Sequence, residues 1–453
     1  MSFIADKQTL DDLNLLGRYR PHSLYSFFNQ VRTPGAERLL EEMFQKPLTD
    51  PDSINTRSRV FQYFQDKKLL FPFTTEGFCR AEAYLAGGTG RTFPSVMAGV
   101  LHRKLLHSFV RDDQYSALHK GVLAAIDLLN TLYDFLGQLE DGYNYPFQAR
   151  IRALKTIFSD KRLSWLSGEK GTQEVPLLKL ARYDHLLRHV LRDEMELVLE
   201  IIYEIDVYIA VSDVARANGF SYAYALAKGR NVFRAAALSH PGLRKPVANP
   251  VSLDEESNML FLTGANMAGK STFMKAFGIT LYLAHMGFPV SAEEMTFSVR
   301  DGIYTSINVP DNLALGYSHF YAEVLRVKAV AQEVSGGRNL VVIFDELFKG
   351  TNVKDAYDAT LAVTELLSAY RNCLFIISTH IIEVGETLQS RCDNLRFAFL
   401  PTVMEGNQPR YPYKMEKGIT TDRHGMTIIE NEGILEILRM ERMEYLNYFS
   451  PKK

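Results

Sequence analysis

The sequence has few cysteines and almost no net charge, and each shortage excludes a class of protein. The three cysteines, Cys79, Cys373 and Cys392, show no CxxC spacing and form no even set, which argues against a disulfide framework and against a zinc site. This cysteine usage favours a reducing compartment. The formal net charge of -2 provides no global basic field for nucleic acid, so any such contact must come from a local patch.

Targeting and membrane-spanning segments are also lacking. The start, Met1–Lys7, does not have the basic and then apolar pattern of a secretory signal. The apolar stretch Ile201–Val211 is interrupted by Glu204 and Asp206, and no uninterrupted apolar run is long enough to span a bilayer. The sequence therefore predicts a soluble, cytoplasmic protein that has no membrane partner.

What is present is an ordinary globular composition with two different textures. The chain has 453 residues, 46% of them hydrophobic and 23% charged, which predicts roughly two to four folded domains. From about Leu13 to Lys228 the apolar spacing is helical. Ala117–Leu139 and Leu177–Ala217 are examples, and the second is long enough for a lever or strut.

After about Val251 the pattern changes to short apolar runs that alternate with helices. Met259–Thr263, Leu340–Phe344 and Leu374–Ser378 are nearly continuous apolar runs, as expected for parallel strands that are covered on both faces. The segment Gly229–Pro250 contains turn residues and predicts a domain boundary. The second part of the chain is therefore predicted to be an α/β domain.

A phosphate-binding loop follows the first of these strands. Gly264 to Ser271 reads Gly-Ala-Asn-Met-Ala-Gly-Lys-Ser and fits the Walker A pattern GxxxxGK[ST], whose backbone N–H groups cradle phosphates. The Lys270 ammonium would reach the β and γ oxygens, and the Ser271 hydroxyl would be a ligand of Mg²⁺. The predicted cofactors are ATP and Mg²⁺, and the predicted nucleotide-binding residues are Gly264, Ala265, Asn266, Met267, Ala268, Gly269, Lys270, Ser271 and Thr272.

Two later strands end in polar residues that suit nucleotide hydrolysis. Leu340–Phe344 runs into Asp345 and Glu346; Asp345 would hold Mg²⁺, and Glu346 would polarise the attacking water as general base. Without the phosphate loop, an apolar run that ends in Asp-Glu would be about as often an ordinary strand entering a loop as part of a nucleotide site. Leu374–Ser378 leads to His380, predicted to face the γ-phosphate because ligands bind at the carboxyl ends of parallel strands; the alternative is an ordinary loop histidine.

Ser335-Gly336-Gly337 looks like the signature of transport ATPases, but its position argues against that class. Only Arg338 and Asn339 separate it from the strand at Leu340. No helix fits there, so the residues are predicted to form a turn. The absence of a long coiled coil also argues against a structural-maintenance ATPase.

The motifs together resemble the MutS family of DNA mismatch repair ATPases. The Asn266-Met267 pair is similar to the one in the family's phosphate loop, and Asp345-Glu-Leu-Phe-Lys-Gly-Thr351 resembles its Asp-Glu-x-x-x-Gly-Thr motif. Further similarities lie in Ser23–Pro51, Tyr203–Ala210, Asp311–Glu323, Ser378–His380 and His424–Met426.

The resemblance implies an ABC-like, MutS-type α/β P-loop ATPase domain preceded by an all-α core/lever domain. The expected domains are a helical core/lever domain over 1–228, the ATPase domain over 229–410 and a C-terminal helical dimerisation segment over 411–453. It also implies a homodimer in which Ser318 completes the partner's ATP site, so the expected catalytic residues are Glu346, His380, Lys270 and Ser318. The alternative for Ser318 is an N-cap or turn serine. His319 stands where the family usually has threonine, and Pro246 stands where it usually offers an aromatic residue to adenine.

Two parts of the family pattern are expected to be lacking or reduced. The sequence starts close to the core domain, so we expect no mismatch-recognition domain and no connector domain. Only Gly142–Val175 offers room for a DNA clamp, and its basic and aromatic residues make it the local DNA candidate. The alternative is a solvated helix face with buried aromatic anchors. Its basic and aromatic residues are Tyr143, Tyr145, Phe147, Arg150, Arg152, Lys155, Lys161, Arg162, Trp165 and Lys170.

Two functions remain open at this point. One is an ATP-switched dimer that associates with DNA in mismatch repair, or in related repair or recombination, together with a repair-protein partner. The other is a nucleotide-gated dimeric scaffold that signals to a protein partner without direct mismatch recognition.

Overall fold

A computed structural model describes residues 2–17, 23–87, 92–110, 113–139, 146–307, 319–405, 408–420 and 433–438. The helices of these residues are α1 (Lys7–Asp12), α2 (Leu24–Phe28), α3 (Pro34–Gln45), α4 (Pro51–Lys67), α5 (Thr75–Leu85), α6 (Phe93–Val110), α7 (Gln114–Leu139), α8 (Gln148–Phe158), α9 (Leu177–His185), α10 (Arg192–Asn218), α11 (Lys270–His285), α12 (His319–Ser335), α13 (Val353–Ser368) and α14 (Ile382–Arg391). The strands are β1 (Ile4–Ala5), β2 (Ser221–Tyr222), β3 (Tyr224–Leu226), β4 (Phe233–Leu238), β5 (Asn249–Leu253), β6 (Met259–Gly264), β7 (Pro289–Val290), β8 (Glu294–Ser298), β9 (Gly302–Ser306), β10 (Leu340–Asp345), β11 (Leu374–Ser378), β12 (Leu395–Leu400), β13 (Val403–Glu405), β14 (Gln408–Arg410) and β15 (Glu416–Lys417).

The chain folds as two compact units, and their boundaries differ from the predicted domains. The sheet unit consists of Met1–Leu24, Lys46–Asn55 and Gly219–Lys453, and the helical unit of Tyr25–Gln45 and Thr56–Asn218. The predicted boundary after residue 228 is replaced by one at residue 219, because β2 pairs with β7 and β3 pairs with β8. The first residues also belong to the sheet unit, since β1 pairs with β9.

The helical unit is built around α7 and α10. In α7 the buried residues include Val122, Ile126 and Leu129, which is the helical spacing that predicted Ala117–Leu139. The longer prediction, one helix over Leu177–Ala217, is wrong in one respect. The helix is interrupted by a π-helical turn at Leu186–Val190, where the N–H of Leu191 donates to the carbonyl oxygen of Leu186 at 2.8 Å, before α10 begins.

The sheet unit contains a seven-stranded sheet in the order β1-β9-β10-β11-β6-β12-β15 among the residues described. Neighbouring strands are parallel except β12 and β15. The apolar strands predicted at Met259–Thr263, Leu340–Phe344 and Leu374–Ser378 are confirmed as β6, β10 and β11, and their residues are almost all buried. The α/β prediction is therefore confirmed, and the carboxyl ends of these strands lie at one edge.

The turn predicted at Ser335-Gly336-Gly337 is also confirmed. Helix α12 ends at Ser335, and β10 begins at Leu340. Gly337 has a φ of +77°, a left-handed conformation that suits glycine. The chain thus reverses in a few residues without forming another helix.

Smaller sheets flank the main sheet, and the sequence did not predict them. One has the order β3-β8-β4-β5, and β13 pairs with β14. Residues 411–420, which were expected in a helical segment, include β15 instead, and β15 pairs with β12. No helix in the described part of the chain is both long and apolar enough to cross a membrane.

Candidate functional site

The predicted phosphate loop lies between β6 and α11, as the strand-loop-helix pattern requires. β6 ends at Gly264, which has a φ of +141°, and Gly269 caps α11 with a φ of +104°. A Cβ atom on Gly264 would lie 2.8 Å from the carbonyl oxygen of Leu400 on the neighbouring strand. Both glycines are therefore needed for the path of the loop.

The Lys270 side chain is buried beneath this loop and is held by it. Its Nζ donates to the carbonyl oxygens of Gly264 and Ala265, at 2.7 and 3.1 Å. Burial lowers the pKa of Lys270, and the nearby carboxylates of Glu346 and Asp345 only partly oppose this. The cation is thus fixed at the place where the loop's N–H groups would receive a phosphate.

Asp345 and Ser271 lie together at the carboxyl edge of the sheet. The Ser271 hydroxyl donates to Asp345 Oδ2 at 2.5 Å, and the Ser378 hydroxyl donates to Asp345 Oδ1. Parallel pairing places Asp345 directly opposite Ser378. The predicted pair of Mg²⁺ ligands therefore converges.

Glu346 is held next to this pair in an unusual backbone conformation. Its φ is +54°, a left-handed region that is uncommon for residues other than glycine and concentrates at functional sites. Its N–H donates to the carbonyl oxygen of Ser378 at 3.1 Å, and its Oε1 lies 3.9 Å from Lys270 Nζ. The hydrogen bond to β11 thus holds this backbone conformation, in which the Glu346 carboxylate lies near Lys270 of the phosphate loop.

A cavity of about 650 Å³ opens beside these residues. The phosphate loop, Asp345 and Glu346 form one side, and residues from Leu238 to Asn249, among them Pro246, form another. Lys245 and Lys349 also line the cavity and add positive charge to that of Lys270. The cavity suits a phosphorylated ligand that has an apolar body.

Tyr413 also lines this cavity, and sequence reasoning missed it. A Cβ atom on Gly269 would lie 3.0 Å from Tyr413 Cδ1, so the ring lies beside the phosphate loop. Asn249 fixes the backbone on either side, since it donates to the carbonyl oxygen of Tyr413 at 2.9 Å and accepts from the N–H of Met415 at 2.7 Å. The sequence offered one signal, the aromatic pair Tyr411 and Tyr413, which lies between β14 and β15.

The remaining predicted site residues differ in where they lie relative to the cavity. Asn266, Met267 and Thr272 are exposed and line the cavity with the rest of the loop, and Ala268 is buried. His380 is exposed after β11 and is not among the described residues that line the cavity, so its sensor role stays a prediction. Ser318, along with Asp311–Gly316 and His424–Met426, lies outside the described residues.

The described part of the DNA candidate segment forms helices, and three of its six basic residues form ion pairs with acidic residues of the same unit. Over 146–175 the structure has α8 and short 3₁₀ turns and no strand. Arg150 pairs with Glu204 at 2.5 Å, Arg162 with Asp160 at 2.6 Å, and Lys170 with Asp134 at 2.6 Å. Trp165 stacks on Tyr183 with ring centroids 3.7 Å apart. These contacts favour the structural alternative for the aromatic residues, while Tyr143 and Tyr145 lie outside the described residues.

Comparison with known proteins shows that part of the sheet unit is similar to one protein family. Residues 260–444 match the family model of MutS domain V. The DNA mismatch repair protein MutS of Anaplasma phagocytophilum (strain HZ) is 29% identical over 327 residues, which cover 70% of this chain and 39% of that protein. The MutS of Petrotoga mobilis is 24% identical over 383 residues, which cover 80% of this chain and 46% of that protein.

A third relative aligns along the whole chain. The MutS of Pseudothermotoga lettingae is 23% identical over 537 residues, which cover 100% of this chain and 66% of that protein. The chain thus spans 39% to 66% of the length of these three relatives.

Proposed function

We propose that this MutS-like chain, which carries a MutS domain V over residues 260–444, binds ATP in the cavity beside Lys270 and hydrolyses it. One observation carries the proposal. The buried Lys270 cation, the Ser271–Asp345 oxygen pair and the Glu346 carboxylate meet at the end of β6 and β10, around one cavity. Each is a group that phosphoryl transfer to water requires.

The proposed roles follow from these positions. The loop N–H groups and Lys270 bind the β- and γ-phosphates, and Lys270 exchanges its carbonyl partners for phosphate oxygens. Glu346 accepts a hydrogen bond from the attacking water and orients it toward the γ-phosphorus. The Tyr413 ring offers a face on which the base stacks.

The residues also fit a magnesium ion. Ser271 Oγ and Asp345 Oδ2 lie 2.5 Å apart, and both are hard oxygen donors of the kind that Mg²⁺ prefers. Mg²⁺ bound there would neutralise charge on the phosphate oxygens. Ser378 keeps the Asp345 carboxylate turned toward Ser271 through its bond to the other oxygen.

The wild type and two single-residue variants test the ATPase proposal. The wild type should release phosphate from Mg²⁺-ATP, and Lys270→Ala should lose ATP binding. Glu346→Gln should bind ATP normally and lose turnover by about 100-fold or more, because the base is removed while the loop stays intact. Turnover in Glu346→Gln equal to the wild type would show that Glu346 is not the base.

The repair role is the wider part of the proposal, and the family resemblance supports it. We propose that the chain acts as an ATP-switched homodimer in DNA mismatch repair or a related repair or recombination process, with DNA and repair proteins as partners. The second candidate is a nucleotide-gated dimeric scaffold that signals to a protein partner. The ion pairs of Arg150, Arg162 and Lys170 favour this second function, because paired cations release fewer counterions from DNA.

A gel-shift assay separates the two candidates. Homoduplex, mismatched and branched DNA are each offered at low salt, with ATP and without it. A shift that weakens steeply as salt rises supports DNA association. The absence of a shift with all three DNAs refutes it and leaves the scaffold.

A further inference from the structure

The segment Phe3–Leu15 lies against the nucleotide-binding part of the sheet unit, and no role for it follows from the phosphate loop. Its strand β1 extends the main sheet, with Ile4 opposite Gly302 and Ala5 opposite Ile303 of β9. A Cβ atom on Gly302 would lie only 2.4 Å from the carbonyl oxygen of Ile4. The strand therefore fits this edge only because β9 begins with glycine.

Asp12 links this segment to the cavity wall. The residue is 6% exposed, and its Oδ2 accepts hydrogen bonds from the Thr305 hydroxyl at 2.7 Å and from the N–H of Ile307 at 2.9 Å. Ile307 lines the nucleotide cavity. One buried carboxylate thus fixes the backbone of a residue that forms the wall.

A second acid ties the segment to α12. The Arg326 guanidinium bonds Asp6 and also donates to the carbonyl oxygen of Thr305 at 2.5 Å. Burial favours a higher pKa for Asp6, but the hydrogen bonds from Arg326 and Thr9 outweigh it and lower the pKa overall. Asp6 therefore stays ionised, and Thr305 is held by Arg326 as well as by Asp12.

The opposite face of the segment packs on α11, the helix that starts at Lys270. A Cβ atom on Gly278 would lie 2.9 Å from Leu13 Cδ1, so Leu13 sits directly on the helix backbone. The Phe3 and His285 rings lie 4.3 Å apart. The same short segment therefore touches both α11 and β9, the strand that ends at Ser306 directly before Ile307.

We infer that Phe3–Leu15 is a positioning element of the nucleotide site, in which Asp12 sets Ile307 in the cavity wall. The inference rests on the proposed ATP-binding function. Because Asp12 touches the wall and not the Ser271–Asp345 pair or Glu346, it governs how well ATP binds more than how fast bound ATP is hydrolysed. Asp12 is thus a positioning residue, not a catalytic one.

The test compares Asp12→Ala with Asp11→Ala, a matched change at the neighbouring exposed acid. Binding of a fluorescent ATP analogue and steady-state ATP hydrolysis are measured for both. Asp12→Ala should raise Kd and KM by roughly 2- to 30-fold, the usual range for residues that act through a neighbour. Its kcat should stay within about twofold, whereas Asp11→Ala should match the wild type in every parameter.

Further variants separate positioning from general destabilisation. Asp12→Asn keeps one acceptor oxygen and should recover most of the affinity that Asp12→Ala loses. Gly302→Ala displaces β1 without touching Asp12 and should raise KM in the same way, which keeps the test valid if Asp12→Ala fails to fold. Met295→Ala, a buried change in β8 away from the cavity, should lower the melting temperature without raising KM.

The outcomes distinguish this inference from the proposed function. A wild-type chain that neither binds nor hydrolyses ATP overturns both. If the wild type does both, unchanged KM in Asp12→Ala or Gly302→Ala, or an equal rise in Met295→Ala, overturns the inference alone.

Discussion

The Ser378 hydroxyl donates a hydrogen bond to Asp345 across two adjacent parallel strands. The same serine accepts from the N–H of Glu346 through its carbonyl oxygen at 3.1 Å and through its hydroxyl oxygen at 3.3 Å. One residue of β11 therefore orients both acidic residues of β10, although it does not reach the phosphate loop itself. Ser378 therefore positions the proposed Mg²⁺ ligand Asp345 and the proposed general base Glu346.

Ser378→Ala should lower ATP hydrolysis by about 10- to 100-fold, as is usual when the support of a metal ligand is removed. The cause is loss of the bond that turns the Asp345 carboxylate toward Ser271. A higher Mg²⁺ requirement should accompany the loss, measured as phosphate release against Mg²⁺ concentration. Ser390→Ala, a change at an exposed serine of α14, serves as control, and an unaltered Mg²⁺ requirement in Ser378→Ala would contradict this role.

Tyr413→Ala should weaken ATP binding by about 1 to 3 kcal/mol, the range for stacking of a base on an aromatic ring. Tyr413→Phe should bind like the wild type, because the ring face is retained. Tyr411→Ala is the matched control, since Tyr411 is not among the described residues lining the cavity. Calorimetric titration with ATP and with inorganic triphosphate checks the reason: Tyr413→Ala should not change triphosphate affinity, and an equal loss for both ligands would argue against stacking.

His285 should make stability depend on pH. It is fully buried, Nδ1–H donates to the carbonyl oxygen of Leu48 at 2.8 Å, and Nε2 accepts from the N–H of Arg300 at 3.2 Å. Burial lowers the pKa of His285 from 6.5 to about 3. Between these values the unfolded chain binds a proton that the folded chain does not, so the free energy of unfolding falls as the pH falls from 6.5 toward 3.

The expected loss is about 1.4 kcal/mol for each pH unit within that window. Urea unfolding at several pH values should show a shallower dependence for His285→Gln than for the wild type. His380→Gln, at an exposed histidine, should keep the wild-type dependence. Identical pH profiles for His285→Gln and the wild type would mean that His285 titrates normally in the fold.

Mixed subunits test whether Ser318 acts in the partner's site. Ser318→Ala and Lys270→Ala should each be inactive alone, but an equal mixture should recover about a quarter of the wild-type sites, because half of the dimers then carry one complete site. The readout is ATP hydrolysis after the subunits are unfolded and refolded together. Full activity of a strict monomer would refute a shared site.

Local sequence pattern predicted the strands and the phosphate loop because both depend on neighbouring residues. β10 and β11 are continuous apolar runs, and their ends show where Asp345 and Ser378 must meet. Tyr413 could not be placed this way, because its position depends on a hydrogen bond to Asn249, far away in the chain. The interruption at Leu186–Val190 was also missed, since its residues continue the apolar spacing of a regular helix.

The pairing of Ile4 with Gly302 has a consequence for synthesis. At roughly 5 to 20 residues per second, the ribosome needs roughly 15 to 60 s to make β9 after it has made β1. For most of that time Phe3 and Leu13 also lack α11, the helix on which they pack in the finished fold, where both are buried. Charged residues of the same segment, such as Lys7 and Asp11, oppose aggregation of its exposed apolar side chains until β9 has been made.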